Sequence, residues 1–493
     1  MYRTSPKKII PIESFGNKNS PYYLLPFRFK KINDRMELIT NEFGDFLICD
    51  IGTSERIVNR QLTNSDTIYP DLVSNFFISH SPIPALIDIM STRYRTKKAF
   101  LNDFTSLHII VITLRCDSRC TYCQVSRKDI DQASYDISFD DLDKAIELIF
   151  MSPSKAITVE FQGGEPLLAF DKVVYAVEKI MKTNRTHKKS ISLVLCTNLL
   201  RLSEEVLTFC RDYQILVSTS LDGPEFIHNT NRPSSYCNSF KKVSKNIERC
   251  MEALGSDRVS ALMTATELSL DYPVEIVNEY RNQGFRNIFL RAINPYGLSS
   301  KLRGNDRGYI KNFLEFYKAA LDYIIELNRM GTYFVEDYAS IILSKILTPF
   351  SVGFMDLQSP SGIISGVAVY NYDGYVYASD ESRMLAEDGE YAFRLGHVQK
   401  NTYEDIFYGH KAKQISQYFA NESLAGCSEC AFLPYCGSDP VRNFATQGDM
   451  AGFRPTNTFC KKNMEIIRFL FEMMTEKNGI TKVFWSWVNR VSL

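Results

Sequence analysis

The stretch from His108 to Arg127 reads HIIVITLRCDSRCTYCQVSR. Its first seven residues are almost all apolar and rich in Ile and Val, which is typical of a strand buried on both faces. Three cysteines, Cys116, Cys120 and Cys123, follow within eight residues. Thiolates are ligands for soft metals, so a strand that ends in three of them predicts a metal centre at the edge of a sheet.

Strand-like and helix-like segments alternate from residue 108 to residue 330. Six strand-like runs each precede a helix-like segment: HIIVITL, AITVEF, ISLVLCTN, ILVSTSLDG, VSALMTATE and NIFLRAINP. The first helix is predicted to begin after the N-cap Ser138 and to bury Leu142, Ala145, Ile146 and Ile149. Six such units predict the α/β class, with a parallel sheet curved into a partial (β/α)6 barrel.

Polar residues of turn type follow several of these strands. Gln162–Pro166 (QGGEP) comes after the second strand, Thr197–Asn198 after the third, and Ser220–Gly223 (SLDG) closes the fourth. Each sequence alone is a common turn. Because the carboxyl ends of parallel strands meet at one rim of a barrel, where its chemistry collects, their recurrence predicts a functional site there.

The composition bounds the class of protein. The chain has 493 residues, of which 45% are hydrophobic, and this predicts about three folded domains. Its 57 Lys and Arg balance 57 Asp and Glu, so neither a nucleic-acid partner nor a membrane partner is expected. The first residues contain no apolar signal core, and no apolar run reaches the ~20 residues of a membrane span. We therefore expect a cytoplasmic protein.

The twelve cysteines form two groups and five scattered residues. Clustered cysteines in a long cytoplasmic chain indicate metal sites rather than disulfides. Among the scattered ones, Cys196 lies in an apolar strand and Cys250 on a helical stripe, so both are expected to be small buried hydrophobic residues. Cys49 and Cys210 are expected to be the same, and Cys237, in a loop, is given no role.

The first group has the spacing Cys116-x3-Cys120-x2-Cys123, with Tyr122 before the last cysteine. After the first strand of a partial barrel, this motif resembles the radical S-adenosylmethionine (SAM) enzymes. A four-iron cluster held by three cysteines has one iron without a protein ligand. The resemblance implies that SAM binds this iron and is cleaved by an electron from the cluster to a 5′-deoxyadenosyl radical, which abstracts hydrogen. The alternative, a three-cysteine zinc knuckle, usually has a different spacing.

The resemblance also implies which residues contact SAM. The GGEP segment resembles the one that contacts the methionyl amino group, while positions in SLDG and in HNTNRP match those that hold the ribose and the carboxylate. The usual glycine after the CTN asparagine is Leu199 here, and His228 either joins the site or only shapes its loop. The implied cofactor-binding residues are Tyr122, Gly163, Gly164, Glu165, Asn198, Ser220, Arg232 and Leu290.

The second group is Cys427-x2-Cys430-x5-Cys436-x23-Cys460. By itself it fits a four-cysteine zinc site equally well. Together with the first motif it resembles the C-terminal SPASM domain of peptide-modifying radical SAM enzymes, and this implies an auxiliary [4Fe-4S] cluster. A further, inner cluster of that family would need cysteines where this chain has Ser379 and Pro440. Two [4Fe-4S] clusters are therefore expected, one binding SAM and one auxiliary.

Three domains are expected from this layout. Residues 1–100 are predicted to form a small α+β domain for peptide recognition or only for capping. Residues 101–330 would form the barrel, and residues 331–493 linker helices with the SPASM-like iron–sulfur domain. The segments YYLLPFRF, ITNEFGDF and YNYDGYVYASDESRM, with the cysteine motif, resemble the radical SAM maturases of the His-Xaa-Ser peptide system.

That resemblance implies the function and the partners. The substrate would be a ribosomally made peptide or small protein with His-Xaa-Ser repeats, modified after translation, and an external flavodoxin or ferredoxin would supply electrons. Asp380 matches a catalytic aspartate of sulfatase-type relatives, although it also fits a solvated hairpin residue. Two alternatives remain open: a formylglycine-forming sulfatase maturase, and a non-catalytic zinc or iron–sulfur scaffold that binds peptides.

Overall fold

The computed structural model describes residues 22–80, 84–235, 237–304, 306–476 and 479–492. The chain divides into two compact units. The first contains Met1–Thr96 and Glu429–Pro434, and the second Lys97–Ser428 and Tyr435–Leu493. Among the described residues, no helix combines the length and the apolar character needed to span a membrane.

The first unit combines short antiparallel sheets with helices. Its elements are β1 (Tyr23–Leu24), β2 (Phe27–Lys31), β3 (Met36–Asn41), β4 (Phe46–Asp50), α1 (Thr53–Val58), α2 (Tyr69–Ser74), β5 (Ile78–Ser79) and α3 (Pro84–Lys97). Strands β2, β3 and β4 form one sheet in that order, and β1 pairs with β5. The core contains Tyr22, Ile39, Leu72 and Phe77, all almost completely buried. Cys49 also lies in this core, as expected.

The second unit is built on one eight-stranded sheet. The strands of the unit, eight in this sheet and two in a separate pair, are β6 (Leu107–Thr113), β7 (Ala156–Gly163), β8 (Ser190–Cys196), β9 (Leu216–Ser220), β10 (Val259–Leu262), β11 (Asn287–Ile288), β12 (Val335–Glu336), β13 (Val367–Tyr370), β14 (Tyr375–Tyr377) and β15 (Arg394–His397). The large sheet has the order β10-β9-β8-β7-β6-β13-β14-β15, and β11 pairs with β12. The pairs from β10 to β13 are parallel, whereas β14 and β15 are antiparallel.

Helices cover this sheet and fill the C-terminal part of the unit. They are α4 (Phe139–Met151), α5 (Phe170–His187), α6 (Glu204–Asp212), α7 (Glu225–Asn231), α8 (Ser239–Leu254), α9 (Pro273–Asn282), α10 (Asp306–Arg329), α11 (Asp337–Leu347), α12 (Asp380–Glu387), α13 (Tyr403–Tyr408), α14 (His410–Ser416), α15 (Pro440–Gln447), α16 (Thr458–Met474) and α17 (Ile480–Asn489). The predicted start of α4 is confirmed, because the Ser138 hydroxyl accepts a hydrogen bond from the Asp141 N–H. The four apolar residues predicted for its buried face are buried.

Register places one row of apolar side chains across the parallel strands. Neighbours in this row are Tyr370, Ile110, Phe161, Leu195, Val217 and Val259. Each is at most 5% exposed, which explains why the strands are so rich in apolar residues. Cys210 and Cys250 are buried as predicted, and Cys237 is exposed.

The partial barrel is confirmed, with two differences at its ends. The sixth predicted strand is reduced to Asn287–Ile288 and pairs with β12. A single bridge between Ala265 and Ala292 connects it to the chain that follows β10. At the opposite edge, β13 adds a parallel strand beside β6, and sequence periodicity did not predict this strand because it has only four residues.

Ile110→Ala is expected to lower the free energy of unfolding of the second unit by about 2–5 kcal/mol, because it leaves a cavity in the buried row. Urea denaturation followed by circular dichroism measures the change. The control is Met330→Ala, at a residue that is 71% exposed, and its effect should stay within about 0.5 kcal/mol. Equal effects of the two substitutions would contradict the central position of Ile110.

Candidate functional site

A cavity of about 590 Å³ lies on the inner side of the parallel strands in the second unit. It is lined by segments that the sequence placed at the carboxyl ends of strands, and by residues of the later hairpin and helices. The candidate residues that line it are Cys116, Cys120, Tyr122, Cys123, Gly163, Gly164, Asn198, Ser220, Arg232, Leu290 and Asp380. Glu165 does not line the cavity and is completely buried behind it.

The cysteine loop leaves β6 and returns to the same place. The Lys128 N–H donates to the Leu114 carbonyl at 2.7 Å, and the Cys116 N–H donates to the Lys128 carbonyl at 3.0 Å. Below this closure, the Arg115 guanidinium binds the Asp136 carboxylate through two hydrogen bonds of 2.8 and 2.6 Å. The loop is therefore a closed excursion with a fixed base, which keeps its three cysteines at the cavity.

Two polar groups point at the cysteine sulfurs. The Ser118 N–H donates to Cys116 Sγ at 3.4 Å, and Arg232 Nη1 lies 3.8 Å from Cys120 Sγ. Burial raises the pKa of the Cys116 thiol well above its usual range and that of Cys120 to about 11. By themselves these thiols stay protonated at neutral pH, so a cationic centre must bind before they become thiolates.

The donor set fits an iron–sulfur cluster better than a single zinc ion. All three thiols belong to one loop and line one cavity. Among the described residues, no three Cys, His, Asp or Glu side chains are arranged to hold one metal ion. In a four-iron cluster each thiolate binds a different iron, so the sulfur atoms need not converge on one point.

Close backbone packing explains the paired glycines at positions 163 and 164. Gly163 has a φ of +146°, and a Cβ there would lie 2.0 Å from the Thr113 carbonyl oxygen. A Cβ on Gly164 would lie 2.3 Å from the Arg115 carbonyl oxygen. This close approach lets the Gly164 N–H donate to Thr113 at 2.7 Å and the Glu165 N–H donate to Arg115 at 2.8 Å. The glycines thus join the end of β7 to the base of the cysteine loop.

Glu165 connects the next strand to this arrangement. Its carboxylate accepts hydrogen bonds from the Thr197 hydroxyl at 2.7 Å, the Asn198 N–H at 2.7 Å and the Leu167 N–H at 2.9 Å. Burial raises the pKa of Glu165 to about 7, although these hydrogen bonds oppose the shift. In the structure the Glu165 side chain connects β7 to the residues after β8 and does not line the cavity. The cofactor contact predicted for Glu165 stays a prediction.

Asn198 braces the cysteine loop from the other side. Its side-chain amide donates to Asp117 Oδ1 at 2.8 Å and to Ser118 Oγ at 2.9 Å. The following Leu199 has a φ of +59°, a left-handed conformation that glycine adopts at lower cost. This explains why the resemblance leads one to expect glycine at that position.

Arg232 is held in a buried group with Tyr122 and Asp222. Its Nε donates to Asp222 Oδ2 at 3.1 Å, Nη2 contacts the Tyr122 hydroxyl, and the Tyr122 hydroxyl bonds Asp222 at 2.8 Å. His228 lies behind this group, where burial lowers its pKa to about 4. Its ring contacts the Asp222 N–H and the Ser239 hydroxyl, and these contacts favour the loop-shaping interpretation.

The remaining predicted contacts lie on the far wall of the cavity. Ser220 ends β9 opposite Leu262 of β10. Leu290 is 2% exposed, and its N–H donates to Glu336 Oε1 at 3.1 Å. Asp380 begins α12, where Arg383 lies 3.2 Å from its carboxylate.

The two positions of the missing inner-cluster ligands both begin helices. The Ser379 hydroxyl caps α12 by accepting the Ser382 N–H at 3.2 Å. Pro440 is the first residue of α15, which the Asp439 side chain caps. Neither residue carries a sulfur atom, so neither can supply a thiolate ligand. Both segments instead form the capped N-termini of helices.

The second cysteine group lies outside the cavity wall. Cys427, Cys436 and Cys460 belong to the second unit and are partly buried. Cys460 lies in the first turn of α16, where its N–H donates to the Asn457 side chain at 2.8 Å. Cys430 lies in the segment 429–434, which belongs to the first unit.

Among the polar side chains that line the cavity, several were not predicted from the sequence. Glu160 on β7 and Cys196 on β8 both line it, and Cys196 Sγ lies 2.9 Å from Glu160 Oε1. The expectation that Cys196 is an ordinary core residue therefore needs correction. The signal was strand alternation, because Cys196 lies two residues before Asn198 and shares its face. Glu160 likewise shares the face of Gln162.

Comparison with known proteins gives a family match within the second unit and several more distant relatives. Residues 110–280 match the Radical SAM superfamily. The chain is 25% identical over 365 residues to the cysteine-type anaerobic sulfatase-maturating enzyme of Clostridium perfringens, covering 72% of this chain and 93% of that protein. It is 23% identical over 368 residues to the serine-type enzyme of Bacteroides thetaiotaomicron, covering 70% and 84%.

A solved structure has a similar fold. The structure of native anSMEcpe with bound AdoMet matches with a TM-score of 0.59 and 22% identity. The match covers 75% of this chain and 98% of that chain. At this identity the similarity concerns the fold, which is the partial barrel described above.

Gly164→Ala is expected to displace the base of the cysteine loop, because the new Cβ would overlap two backbone carbonyls, of Leu114 and Arg115. Such overpacking costs about 1–3 kcal/mol, and SAM binding measured by calorimetry on the iron-loaded protein should weaken. The control is Met330→Ala, at an exposed residue that does not line the cavity. Unchanged SAM affinity in Gly164→Ala would contradict the role given to this contact.

Proposed function

We propose that this chain, which contains a radical SAM domain at residues 110–280, modifies a ribosomally made peptide with His-Xaa-Ser repeats by hydrogen abstraction. The observation that carries the proposal is the closed cysteine loop at a 590 Å³ cavity. Cavities of roughly 300–1,000 Å³ hold drug-sized ligands, so this one has room for SAM and a side chain of the substrate. The protein is an enzyme with SAM and [4Fe-4S] clusters as cofactors.

In the proposed site, Cys116, Cys120 and Cys123 are the cluster ligands. When bound, the cluster and SAM supply a 5′-deoxyadenosyl radical that removes a hydrogen atom from carbon. The protein's task is to fix the cysteine loop, and two sets of side-chain hydrogen bonds do so. Glu165 joins β7 to the residues after β8, and Asn198 binds Asp117 and Ser118 within the loop.

Each proposed SAM contact matches a different chemical group of SAM. Gly163 and Gly164 expose backbone beside the cysteine loop, where a polar amino group can bind. Arg232 forms an ion pair with Asp222. It is the proposed partner of the SAM carboxylate, because a guanidinium binds carboxylates well. Ser220 supplies a hydroxyl for the ribose, and Leu290 an apolar surface for the adenine.

Asp380 is proposed to orient the substrate. It lines the cavity at the start of α12, and its carboxylate is already engaged by Arg383 at 3.2 and 3.4 Å. A carboxylate held in this way keeps a fixed position and retains acceptor capacity for a donor of the peptide. The peptide itself is supported by the relatives: one similar structure contains AdoMet and the Cp18Cys peptide.

The auxiliary cluster is proposed from the spacing of Cys427, Cys430, Cys436 and Cys460. An external electron donor of the flavodoxin or ferredoxin type, and a cytoplasmic location, are proposed with it. The His-Xaa-Ser substrate rests on sequence resemblance. Sulfatase maturation is the second candidate because curated relatives carry that name, but Ser379 and Pro440 replace the cysteines expected for the inner cluster.

Iron and sulfide analysis tests the cofactors. Anaerobically reconstituted protein should contain about eight irons and about eight sulfides, four of each per cluster. Replacing the three triad cysteines by Ala should remove about half of each, and Cys460→Ala the other half. Cys237→Ala, at an exposed cysteine, is the matched control and should change neither count. Stoichiometric zinc in the second group, or about twelve irons, would contradict the assignment.

The function is tested by mass spectrometry of a small peptide with His-Xaa-Ser repeats, co-expressed with and without this protein. The wild-type enzyme should change the mass of the peptide, and Cys120→Ala should abolish both this change and 5′-deoxyadenosine formation, because one cluster ligand is lost. An unmodified peptide, together with formylglycine in a co-expressed sulfatase, would favour the second candidate. No SAM cleavage by the reconstituted wild type would leave the non-catalytic scaffold.

A further inference from the structure

The inner face of the barrel has a second polar layer, below the rim that is proposed to hold SAM. Along β7, β8 and β9 the side chains alternate between a buried face and the cavity. Polar residues of the rim line the cavity. On the same strands, the residues that lie two positions before them also line it. The rim residues are Gln162, Asn198 and Ser220, and the deeper ones Glu160, Cys196 and Ser218. Two residues of strand correspond to about 6–7 Å.

A hydrogen bond joins two residues of this deeper layer. Cys196 Sγ lies 2.9 Å from Glu160 Oε1, and the thiol is the donor. This is the one side-chain hydrogen bond of Glu160 among the described residues, and none of them forms an ion pair with it. Its second oxygen, Oε2, therefore keeps its acceptor capacity beside the cavity.

The charges that face Glu160 make it a group that can hold a proton. Burial raises its pKa, and the Asp380 carboxylate, which also lines the cavity, adds to the shift, whereas the Cys196 hydrogen bond and Arg291 oppose it. Asp380 differs, because Arg383 already binds its carboxylate. Five carboxyl groups line this cavity, on Glu160, Asp356, Asp380, Glu381 and Asp439. Among them, Glu160 is the one that accepts a hydrogen bond from a thiol, and it has no cationic side chain within ion-pair distance in the described chain.

We propose that Glu160 accepts the proton that the substrate loses during the reaction, and that Cys196 is a positioning residue that holds its carboxylate. This inference rests on the proposed function and assigns an additional role within the same cavity. It leaves Asp380 as the orienting group. A buried carboxyl group with one oxygen free to accept a proton from the substrate is suited to general base catalysis.

The proposed modification is a two-electron oxidation of the substrate. A substrate C–H bond breaks homolytically, and its hydrogen atom goes to the 5′ carbon of the deoxyadenosyl radical. The substrate radical then loses one electron to a one-electron acceptor of the iron–sulfur class. The O–H, N–H or S–H group that bonds to the oxidised carbon loses its proton to Glu160 Oε2. The substrate thus loses two electrons and two protons in total.

The first test compares Glu160→Gln with the wild type and with Glu178→Gln, a matched substitution at an exposed residue of α5. Glu160→Gln should continue to form 5′-deoxyadenosine, while modified peptide falls by at least about 100-fold, the usual effect of a general base. Glu178→Gln should behave as the wild type. Asp380→Asn should raise KM for the peptide more than it lowers kcat. Normal product yield from Glu160→Gln would overturn the proposal.

The second test needs no cofactor. The S–H stretching band of Cys196, isolated as the infrared difference between wild type and Cys196→Ser, should lie at lower wavenumber than the same band in Glu160→Ala protein, because donating a hydrogen bond to the carboxylate weakens the S–H bond. Cys196→Ser, which keeps a donor, should retain product formation, whereas Cys196→Ala should lower kcat. An unshifted band, or full activity of Cys196→Ala, would contradict the positioning role.

These outcomes are distinct from failure of the proposed function. If the wild type does not modify the peptide, the proposed function fails, and the infrared band still reports whether the Cys196–Glu160 contact exists. If the wild type modifies the peptide and Glu160→Gln does so equally, only this inference fails. Circular dichroism and retained 5′-deoxyadenosine formation show that Glu160→Gln is folded.

Discussion

Two backbone hydrogen bonds fix the geometry on which the site depends. The N–H groups of Gly164 and Glu165 donate to the carbonyls of Thr113 and Arg115, so the end of β7 lies directly on the base of the cysteine loop. Glycine is required because a Cβ at either of positions 163 and 164 would overlap backbone atoms. From this junction, Glu165 reaches the end of β8, and Asn198 returns to the loop. The loop, β7 and β8 therefore form one connected rim.

The chemistry of the rim follows from burial. Thiols and carboxyl groups lie where water is excluded, so their charged forms are disfavoured until a partner is bound. For the cysteines the required partner is a cationic centre. For Glu165 it is a set of three hydrogen-bond donors, and for Arg232 it is Asp222. Glu160 differs from these groups, since a thiol is its one side-chain partner in the described chain.

Sequence reasoning predicted most of the barrel because its signals are local. Apolar strands, helix caps such as Ser138 and the cysteine spacing are all visible within a few residues. It failed where structure depends on distant pairing. The parallel addition of β13 beside β6 joins segments about 260 residues apart, and the sixth strand pairs with β12 rather than with β10. Glu160 and Cys196 were missed for another reason: their strands were treated as uniformly buried, although alternation already placed them on the face of Gln162 and Asn198. The domain boundaries and the roles of the site residues stay predictions.

Electron paramagnetic resonance tests most directly whether the triad holds a cluster with an iron open to SAM. Reconstituted Cys460→Ala protein, which should keep only the triad cluster, would be reduced with dithionite and measured before and after addition of SAM. A reduced [4Fe-4S] signal whose g-values shift when SAM is added is the predicted result. A signal that SAM does not change, or no iron–sulfur signal at all, would contradict the assignment of Cys116, Cys120 and Cys123.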